Sequence, residues 1–456
     1  MTDKLANQRT DQPFCPVCGS TAQTLLFNTP TNDQDLLSAL GPYRLCDPSI
    51  DPHACGLLHQ PAKPTRKPRT LMPSARLRTT RNHLRDAATE ALEMISGRDC
   101  AALDIGCNDG TLLSFYPRWV DRFGVDPHES VEEIGEWAWS ARASFPSAHL
   151  DQAFGTKQFD IITCISTFEE VSDPRTFLAC VRDRLAPDGL LVLETLYAPV
   201  LLTANSFDLA NPDLCQVFSL QVLEYLVRQE GLKIVRGGMT NKNGGSIRLF
   251  IAHDSFDGFD FDPWSERLAR LWDEETVLAL RDRAPYQAYY ARLCDAQRTF
   301  QEMIADIVSY DEEIAILGTD DQALDLMTWA GPTIQDAAFL VRMADRDHAD
   351  GTSDPSLPVL SETECRARQP AYLLAPAARK QEALEMWRES IMAGAKLIIP
   401  TPAPHIIDAV NYSIEFGKTI SQGDSAAGVE TLRAILFAAG GPRLIAENTL
   451  EQAESA

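Results

Sequence analysis

The sequence predicts an α/β protein with a doubly wound, mostly parallel sheet at its centre. A Cys-rich subdomain precedes that sheet and a second α/β unit follows it. Three observations predict this arrangement. Strand and helix signals alternate from Cys100 to His253 at the spacing of βαβ units. Four of the eleven cysteines lie ahead of that alternation, in a turn-rich stretch with few long apolar runs. A second, shorter βα alternation runs from Glu313 to Pro400, after a long helical stretch.

Each element has its own signal. PAKPTRKPRTLMP (Pro61–Pro73) reads as a connector, because its prolines and charges oppose regular structure. Arg78–Ile95 has helical spacing, with Leu84, Ala88, Leu92 and Ile95 on one face. CAALDIG (Cys100–Gly106) is a strand, TLLSFYP (Thr111–Pro117) opens a helix and RFGVD (Arg122–Asp126) is the next strand. Helix Val131–Ala141, strand Phe159–Ser166, helix Asp173–Leu185 and strand Leu190–Leu196 are expected next. Helix Phe218–Gly231 and strand Ile247–His253 complete the central unit. The boundaries are drawn at 1–70, 71–255 and 256–456.

At 456 residues the chain exceeds one ordinary core, so two or three domains are expected. Apolar content of 45% and charged content of 23% are those of a globular protein. No apolar run approaches the roughly 18–20 residues of a membrane-spanning helix. The polar N-terminus, MTDKLANQRTDQPF, lacks the apolar core of a signal peptide, so a cytoplasmic location without a membrane partner is expected. A net charge of −24 argues against a nucleic-acid partner. From Pro52 to Arg85, however, there are no acids but eight basic residues: Lys63, Arg66, Lys67, Arg69, Arg76, Arg78, Arg81 and Arg85. This block is either a solvated linker or a docking wall for an anionic substrate such as a nucleotide diphosphate.

The sharpest motif is ALDIGCNDGTLL (Ala102–Leu113). A buried strand ends in Asp104, turns through Gly106 and Gly110 and opens a helix, so that backbone can approach a ligand closely. The next strand ends in Asp126, placed to accept hydrogen bonds from a ribose diol. The turn, D-I-G-x-N-D-G, lacks the G-x-G-x-x-G of dinucleotide sites. It resembles the S-adenosylmethionine (SAM) site of class I methyltransferases. That resemblance assigns Asp104, Gly106, Asn108, Asp109, Gly110 and Asp126 to the cofactor. It also places Asp151 to Phe154 beside the adenine, and Cys164 to Ser166 beside the sulfonium.

FCPVCGS supplies Cys15 and Cys18, and LCDPSIDPHACGLLHQ supplies Cys46 and Cys55. One C-x-x-C pair and a looser C-x8-C pair fit a structural tetrahedral Zn²⁺ site, with His53 or His59 able to replace one thiolate. Such a site contributes to folding and is closed to hydrolytic chemistry.

The order of these units resembles the sugar C-methyltransferases, which act on nucleotide-diphosphate keto-deoxysugars. The resemblance spans nearly the whole chain, through CPVCG, CGLLHQ, LDIGCNDGTLL, GVDP, LAPDGLLVLETLY, NGGSIRLFIAH and AKLIIPTPAPHII. It implies a Rossmann-like class I methyltransferase core, an N-terminal zinc subdomain and a C-terminal α/β domain that walls the substrate cleft. It also implies deprotonation beside a ketone, which requires a general base.

This sequence departs from the family exactly where that base is expected. The family loop F-D-x-x-Y-H-E-H-x-x-Y-F-S-L becomes FDLANPDLCQVFSL, with Asn211, Pro212, Asp213 and Leu214 at the Tyr, His, Glu and His positions. In N-x-L-A-H-V, Ser166 replaces the Asn and Glu170 the His; in H-G-G-S-L-R, Asn243 replaces the His ahead of Ser246 and Arg248. The Y-x-x-S-S segment is reduced to Leu71–Ala75. Glu170, Asp213 and Tyr197 are the candidate catalytic groups, and Arg248, Ser246 and Asn243 the candidate substrate contacts. Cys215 has no His near it in sequence to activate it. The second α/β unit keeps only Gly318 at its first turn, so a second nucleotide cofactor is not expected there.

The leading reading is a SAM-dependent methyltransferase with a small-molecule acceptor, either nucleotide-diphosphate linked or another secondary metabolite, in a biosynthetic pathway. Two others stand beside it. One is a SAM-binding enzyme of different chemistry; the other is a non-catalytic partner in a biosynthetic complex. Nothing in the sequence fixes the oligomeric state.

Overall fold

The structure is a computed structural model, which describes residues 14–26, 42–60, 74–76, 78–95, 99–205, 214–240, 245–259, 262–319, 321–342 and 357–421. Three sheets organise them. The N-terminal cysteines sit on a small antiparallel sheet of β1 (Gln23–Leu25), β2 (Arg44–Cys46) and β3 (Leu58–His59). Its fourth strand, β9 (Gln216–Val217), comes from far along the chain and pairs Leu58 with Val217 and His59 with Gln216. The Cys-rich segment therefore does not fold on itself alone, as its few apolar residues would lead one to expect.

After α1 (Arg78–Met94), the central sheet begins with β4 (Ala101–Ile105), followed by α2 (Thr111–Ser114), β5 (Asp121–Asp126) and β6 (Trp139–Arg142). It continues through α3 (Ala148–Phe154), β7 (Phe159–Ile165), α4 (Pro174–Arg184), β8 (Leu185–Leu196), α5 (Ala198–Thr203) and α6 (Leu220–Gln229). β10 (Leu232–Thr240) and β11 (Ser246–His253) close it. The strand order is β10-β11-β8-β7-β4-β5-β6, parallel except where β11 runs against β8 and β10. This is the expected doubly wound α/β core. Alternation along the strands sorts the apolar side chains into two layers. Ala102, Ile161, Leu190 and Val192 pack under Leu84, Ala88 and Ala91 of α1. Leu103, Ile162, Leu191 and Leu193 pack under Phe177 of α4 and Leu223 of α6.

Two local readings change. The helix expected over Val131–Ala141 is a 3₁₀ helix, Glu129–Ile134, followed by the edge strand β6. Gly135, at φ 59°, ends the helical run, and Trp139 then stacks on Phe123 of β5 at 6.2 Å. β10 was not anticipated. Its paired glycines, Gly237 and Gly238, obscure the alternation, yet a Cβ at Gly237 would meet Leu249 and Leu268 at 2.6 and 2.8 Å.

Beyond α7 (Asp262–Val277) and α8 (Ala284–Ser309) lies the third sheet, with strands β12 (Ile314–Leu317), β13 (Ala338–Arg342), β14 (Val359–Ser361), β15 (Tyr372–Leu374), β16 (Lys396–Ile399) and β17 (His405–Ile407). Its order is β14-β13-β12-β15-β16-β17 and only β17 is antiparallel. The α7–α8 junction also clamps the Cys-rich sheet. Arg283 bonds the buried Asp47 carboxylate at 2.6 Å, and Arg281 donates to the Ala54 carbonyl at 2.8 Å. Arg283 and the hydroxyls of Ser49 and Thr24 hold the Asp47 carboxyl down at about 2, against the opposing effect of its burial.

Candidate active site and metal centre

Asp104, at the carboxyl end of β4, is buried and accepts a 2.6 Å hydrogen bond from Thr163 Oγ1 on the neighbouring strand β7. Burial pushes its carboxyl up to about 7, against the pull of Thr163, and the carboxylates of Asp126 and Asp109 add to the rise. The turn that follows needs glycine at two points. Gly106 has φ 76° and a Cβ there would lie 2.2 Å from Thr167 Oγ1; Gly110 has φ 77° and its Cβ would lie 2.7 Å from Ile134.

Asp126 ties the turn down from the next strand. Its two carboxylate oxygens accept from the Asn108 and His128 backbone N–H groups at 2.9 and 2.7 Å. Each oxygen keeps a second acceptor position. Asp109 is more fully committed, accepting from Thr111 N–H and Oγ1 and, across the fold, from Ala75 N–H at 2.9 Å. Asn108 Nδ2 reaches Ser74 Oγ at 3.3 Å, so the segment 74–76 packs directly on the turn. Ser166, at φ 54° just past β7, carries a buried hydroxyl with no partner among the described residues. Three carboxylates around one glycine turn make an anionic cradle, which suits a cationic ligand. A sulfonium and an ammonium, as in SAM, fit that charge.

Phe154 is not part of this cradle. It ends α3, which runs back against the strands, and its ring meets Phe123 at 5.3 Å. Phe123 in turn meets Phe159, the first residue of β7. Phe154 therefore lies at the amino ends of the strands, the opposite edge from Asp104 and Asp126. Asp151 of the same helix is exposed and ion-paired to Arg184. The segment that does reach Asp126 is the start of the β6–α3 loop, where Ala143 N–H donates to the Asp126 carbonyl at 3.0 Å.

Tyr197 is also reassigned. It is 1% exposed, burial raises its phenol well above the usual range, and its hydroxyl pairs with Glu275 of α7. Glu275 caps α6 through the backbone N–H groups of Leu220 and Gln221. Tyr197 is thus a packing residue that joins α7 to the core. Glu170 is exposed, whereas its neighbour Glu169 is buried. Glu169 accepts from Thr195 Oγ1 at 3.0 Å, and burial pushes its carboxyl up to about 7. Cys215 is buried and donates to the Glu170 carbonyl at 3.3 Å. Asp213, Asn211, Pro212 and Asn243 lie outside the described residues.

Arg248 is 4% exposed, and its guanidinium faces inward. It donates to Glu194 at 2.7 Å through Nε and to Glu90 at 3.3 Å through Nη1, and its Nη2 lies 3.1 Å from His83 Nε2. A role as an open diphosphate contact is therefore replaced by one inside a charged network. Ser246, two residues earlier on β11, is buried. His83 is the residue that sequence reasoning missed. It stands on α1, and its Nε2 lies 2.6 Å from a carboxylate oxygen of the fully buried Glu194. Burial alone would raise the Glu194 carboxyl, but the bonds from His83 and Arg248 hold it below its ordinary value.

The four cysteines converge. The sulfurs of Cys15, Cys18, Cys46 and Cys55 all lie within 4.8 Å of one another, with Cys15–Cys55 at 3.5 Å and Cys18–Cys46 at 3.4 Å. The edge of a tetrahedral site with metal–sulfur bonds of about 2.3 Å is about 3.8 Å, so the set fits a closed four-thiolate centre. His53 and His59 stand outside it: His53 is exposed, and burial holds His59 neutral down to about 4.

Residues 77–236 match the family described as "Methyltransferase domain", and residues 241–402 match the "C-methyltransferase C-terminal domain". Together with the cradle, these matches decide the activity. The chain is a SAM-dependent methyltransferase. Among curated proteins, this methyltransferase is 24% identical over 337 residues to the C-methyltransferase NovU of Streptomyces niveus, covering 72% of this chain and 78% of that one. It is 27% identical over 130 residues to the mitochondrial ubiquinone biosynthesis O-methyltransferase of Schizosaccharomyces pombe, covering 26% and 47% respectively. Among solved structures, a SAM-dependent methyltransferase from Clostridium acetobutylicum aligns with TM-score 0.31 and 14% identity, over 38% of this methyltransferase and 91% of that chain. The 1,6-didemethyltoxoflavin-N1-methyltransferase of Burkholderia thailandensis aligns with TM-score 0.31 and 15% identity, over 38% and 80%. No helix among the described residues is long and apolar enough to cross a membrane.

Proposed function

We propose that this methyltransferase transfers a methyl group to a small-molecule acceptor of a biosynthetic pathway, with a nucleotide-diphosphate ketosugar as the favoured class and carbon as the favoured atom. The observation that carries the reading is the cradle of Asp104, Gly106, Gly110 and Asp126, which is intact although the sequence replaces the family's acid–base residues. A cofactor site of this precision persists where the cofactor is still used. Similarity to a C-methyltransferase over 72% of the chain supports carbon as the acceptor atom. The basic block Lys63–Arg85 supports an anionic substrate.

When bound, SAM supplies a methyl group activated by positive sulfur. The protein's own work is to hold the cofactor between Asp126 and the glycine turn, to present the unpartnered Ser166 hydroxyl near the end of β7, and to exclude water. Zn²⁺ held by Cys15, Cys18, Cys46 and Cys55 would be structural, because the four thiolates fill its coordination sphere.

Calorimetric titration with SAM and with S-adenosylhomocysteine tests the site. Micromolar binding by the native protein, weakened at least about 100-fold in Asp126→Ala, is expected; equal affinity in the variant would remove Asp126 from the site. Acceptors are then sought by mass spectrometry, as a product heavier by one CH₂. Metal analysis should return one zinc per chain, and Cys18→Ser should lose it together with the Cys-rich sheet.

A further inference from the structure

We propose that His83 is the proton acceptor of the methyl-transfer site, its tautomer set by the buried carboxylate of Glu194. The inference rests on the reading above, in which a C–H or O–H of the acceptor must be deprotonated. The sequence offers no base in the usual segments, and the structure brings one from the first helix of the core.

Position comes first. In the central sheet, Asp104 is in register with Thr163, and Thr163 with Val192. Laterally paired residues of a parallel sheet point to one face, and Glu194 lies two residues past Val192 on that same face. Asp104 and Glu194 thus stand on the α1 side, at the carboxyl ends of β4 and β8, where open α/β sheets bind their ligands. Two links bracket the cluster. Residues 74–76, just ahead of α1, bond the cofactor turn through Ala75 to Asp109 and Ser74 to Asn108. On the other side, the Glu194 carbonyl accepts the Ser166 N–H at 2.9 Å. His83 therefore lies between the cofactor turn and the end of β7.

Chemistry comes second. Nε2 lies 2.6 Å from the buried Glu194 carboxylate and 3.1 Å from Arg248 Nη2. An Nε2–H donated to the nearer carboxylate leaves Nδ1 as the lone-pair nitrogen, and the Arg248 approach is then a contact and not a hydrogen bond. This is the division of labour by which a carboxylate orients an imidazole base in hydrolytic triads. Glu194 is held on its other oxygen by Arg248, which is braced by Glu90; Glu90 also pairs with Arg236 at 3.5 Å. The ring keeps some solvent exposure, its side chain being 16% accessible. In the step, the acceptor proton passes to Nδ1 as the acceptor's electron pair forms the bond to the methyl carbon. The methyl–sulfur bond breaks with its electrons remaining on sulfur. The products are methylated acceptor, S-adenosylhomocysteine and imidazolium.

Two measurements on the full chain test this. In the first, ¹⁵N-imidazole NMR of the S-adenosylhomocysteine complex is recorded, with His83 assigned through His83→Gln. An Nε2–H tautomer with Nδ1 as the free nitrogen is expected in the folded protein. An Nδ1–H tautomer overturns the proposal. In the second, thymidine-diphosphate-4-keto-6-deoxyglucose is incubated in D₂O with enzyme and S-adenosylhomocysteine, and deuterium uptake beside the ketone is followed. His83→Gln should slow uptake by at least about 100-fold with S-adenosylhomocysteine affinity unchanged, the scale of general-base catalysis. An unchanged rate overturns the proposal. No uptake by the native enzyme, with the expected tautomer present, sinks the ketosugar reading and leaves the base assignment standing.

Discussion

The central and C-terminal sheets share the arrangement of their parallel strands but not the chemistry at the strand ends. In each, the first strand lies in the middle, the next two extend to one side and the following two to the other, with an antiparallel strand beyond them; β17 is the edge of its sheet, whereas β10 lies outside β11. Both therefore have a crevice at the carboxyl end of the first strand, where the strand order reverses. In the central sheet that crevice holds Asp104, Gly106 and Asp109, and the second strand ends in Asp126. In the C-terminal sheet, the first strand runs into Gly318 and Thr319, and the second ends in Arg342. Topology provides the crevice, and the side chains at the strand ends decide what occupies it.

The largest expected effect breaks this symmetry directly. Asp126→Ala should cost at least about 100-fold in SAM affinity, whereas Arg342→Ala, the same position in the other sheet, should change it less than twofold by calorimetry. A large loss in Arg342→Ala would mean that the C-terminal crevice contributes to the cofactor site. A second contrast lies in the glycines. Gly106→Ala combines a left-handed φ with a contact 2.2 Å from Thr167 Oγ1, and should destabilise by about 3 kcal/mol in urea unfolding. Gly318→Ala carries the strain of φ 128° and should cost about 1–2 kcal/mol without weakening SAM binding.

The remaining contrast concerns pH. The folded-state carboxyl of Asp104, pushed up to about 7 by burial, lies above its ordinary 3.8, so the folded protein binds this proton more tightly than the unfolded chain does. Its contribution is complete below about pH 4 and is lost as the pH rises through about 7. Glu169 and Glu275, also raised by burial to about 7, act in the same direction. The ligand-free protein should therefore lose stability between pH 4 and 7, by up to ~1.4 kcal/mol per pH unit for each titrating group. Asp104→Asn should flatten that slope in denaturant titrations at pH 5, 6 and 7; an unchanged slope would place the titration elsewhere.

How much was legible follows from distance along the chain. Strand, glycine turn and strand-end acid lie between Ala101 and Asp126, and each is set by local residues: a buried apolar run, two positions at positive φ and an acid closing the next strand. The four cysteines were legible because metal-ligand chemistry restricts residue type more tightly than packing does. Phe154 was misplaced because sequence gives a helix's residues but not which end meets which edge of the sheet. Tyr197 was identified as a polar group at a strand end and Arg248 through the motif Asn243 to Arg248, but only packing shows them turned inward, onto Glu275 and Glu194. His83 carried no signal: it is 111 residues from Glu194, and no spacing rule connects them.

The sequence by itself determined the α/β class, the cofactor turn and the thiol set, because these depend on periodicity, backbone freedom and ligand chemistry within short segments. Only the tertiary structure decided that β9 completes the Cys-rich sheet, that Arg248 is enclosed by Glu194, Glu90 and His83, and that an imidazole stands beside a buried carboxylate at the strand ends. Those facts depend on lateral strand order and on which helix covers which face. Both are set by the joint burial of distant apolar surfaces.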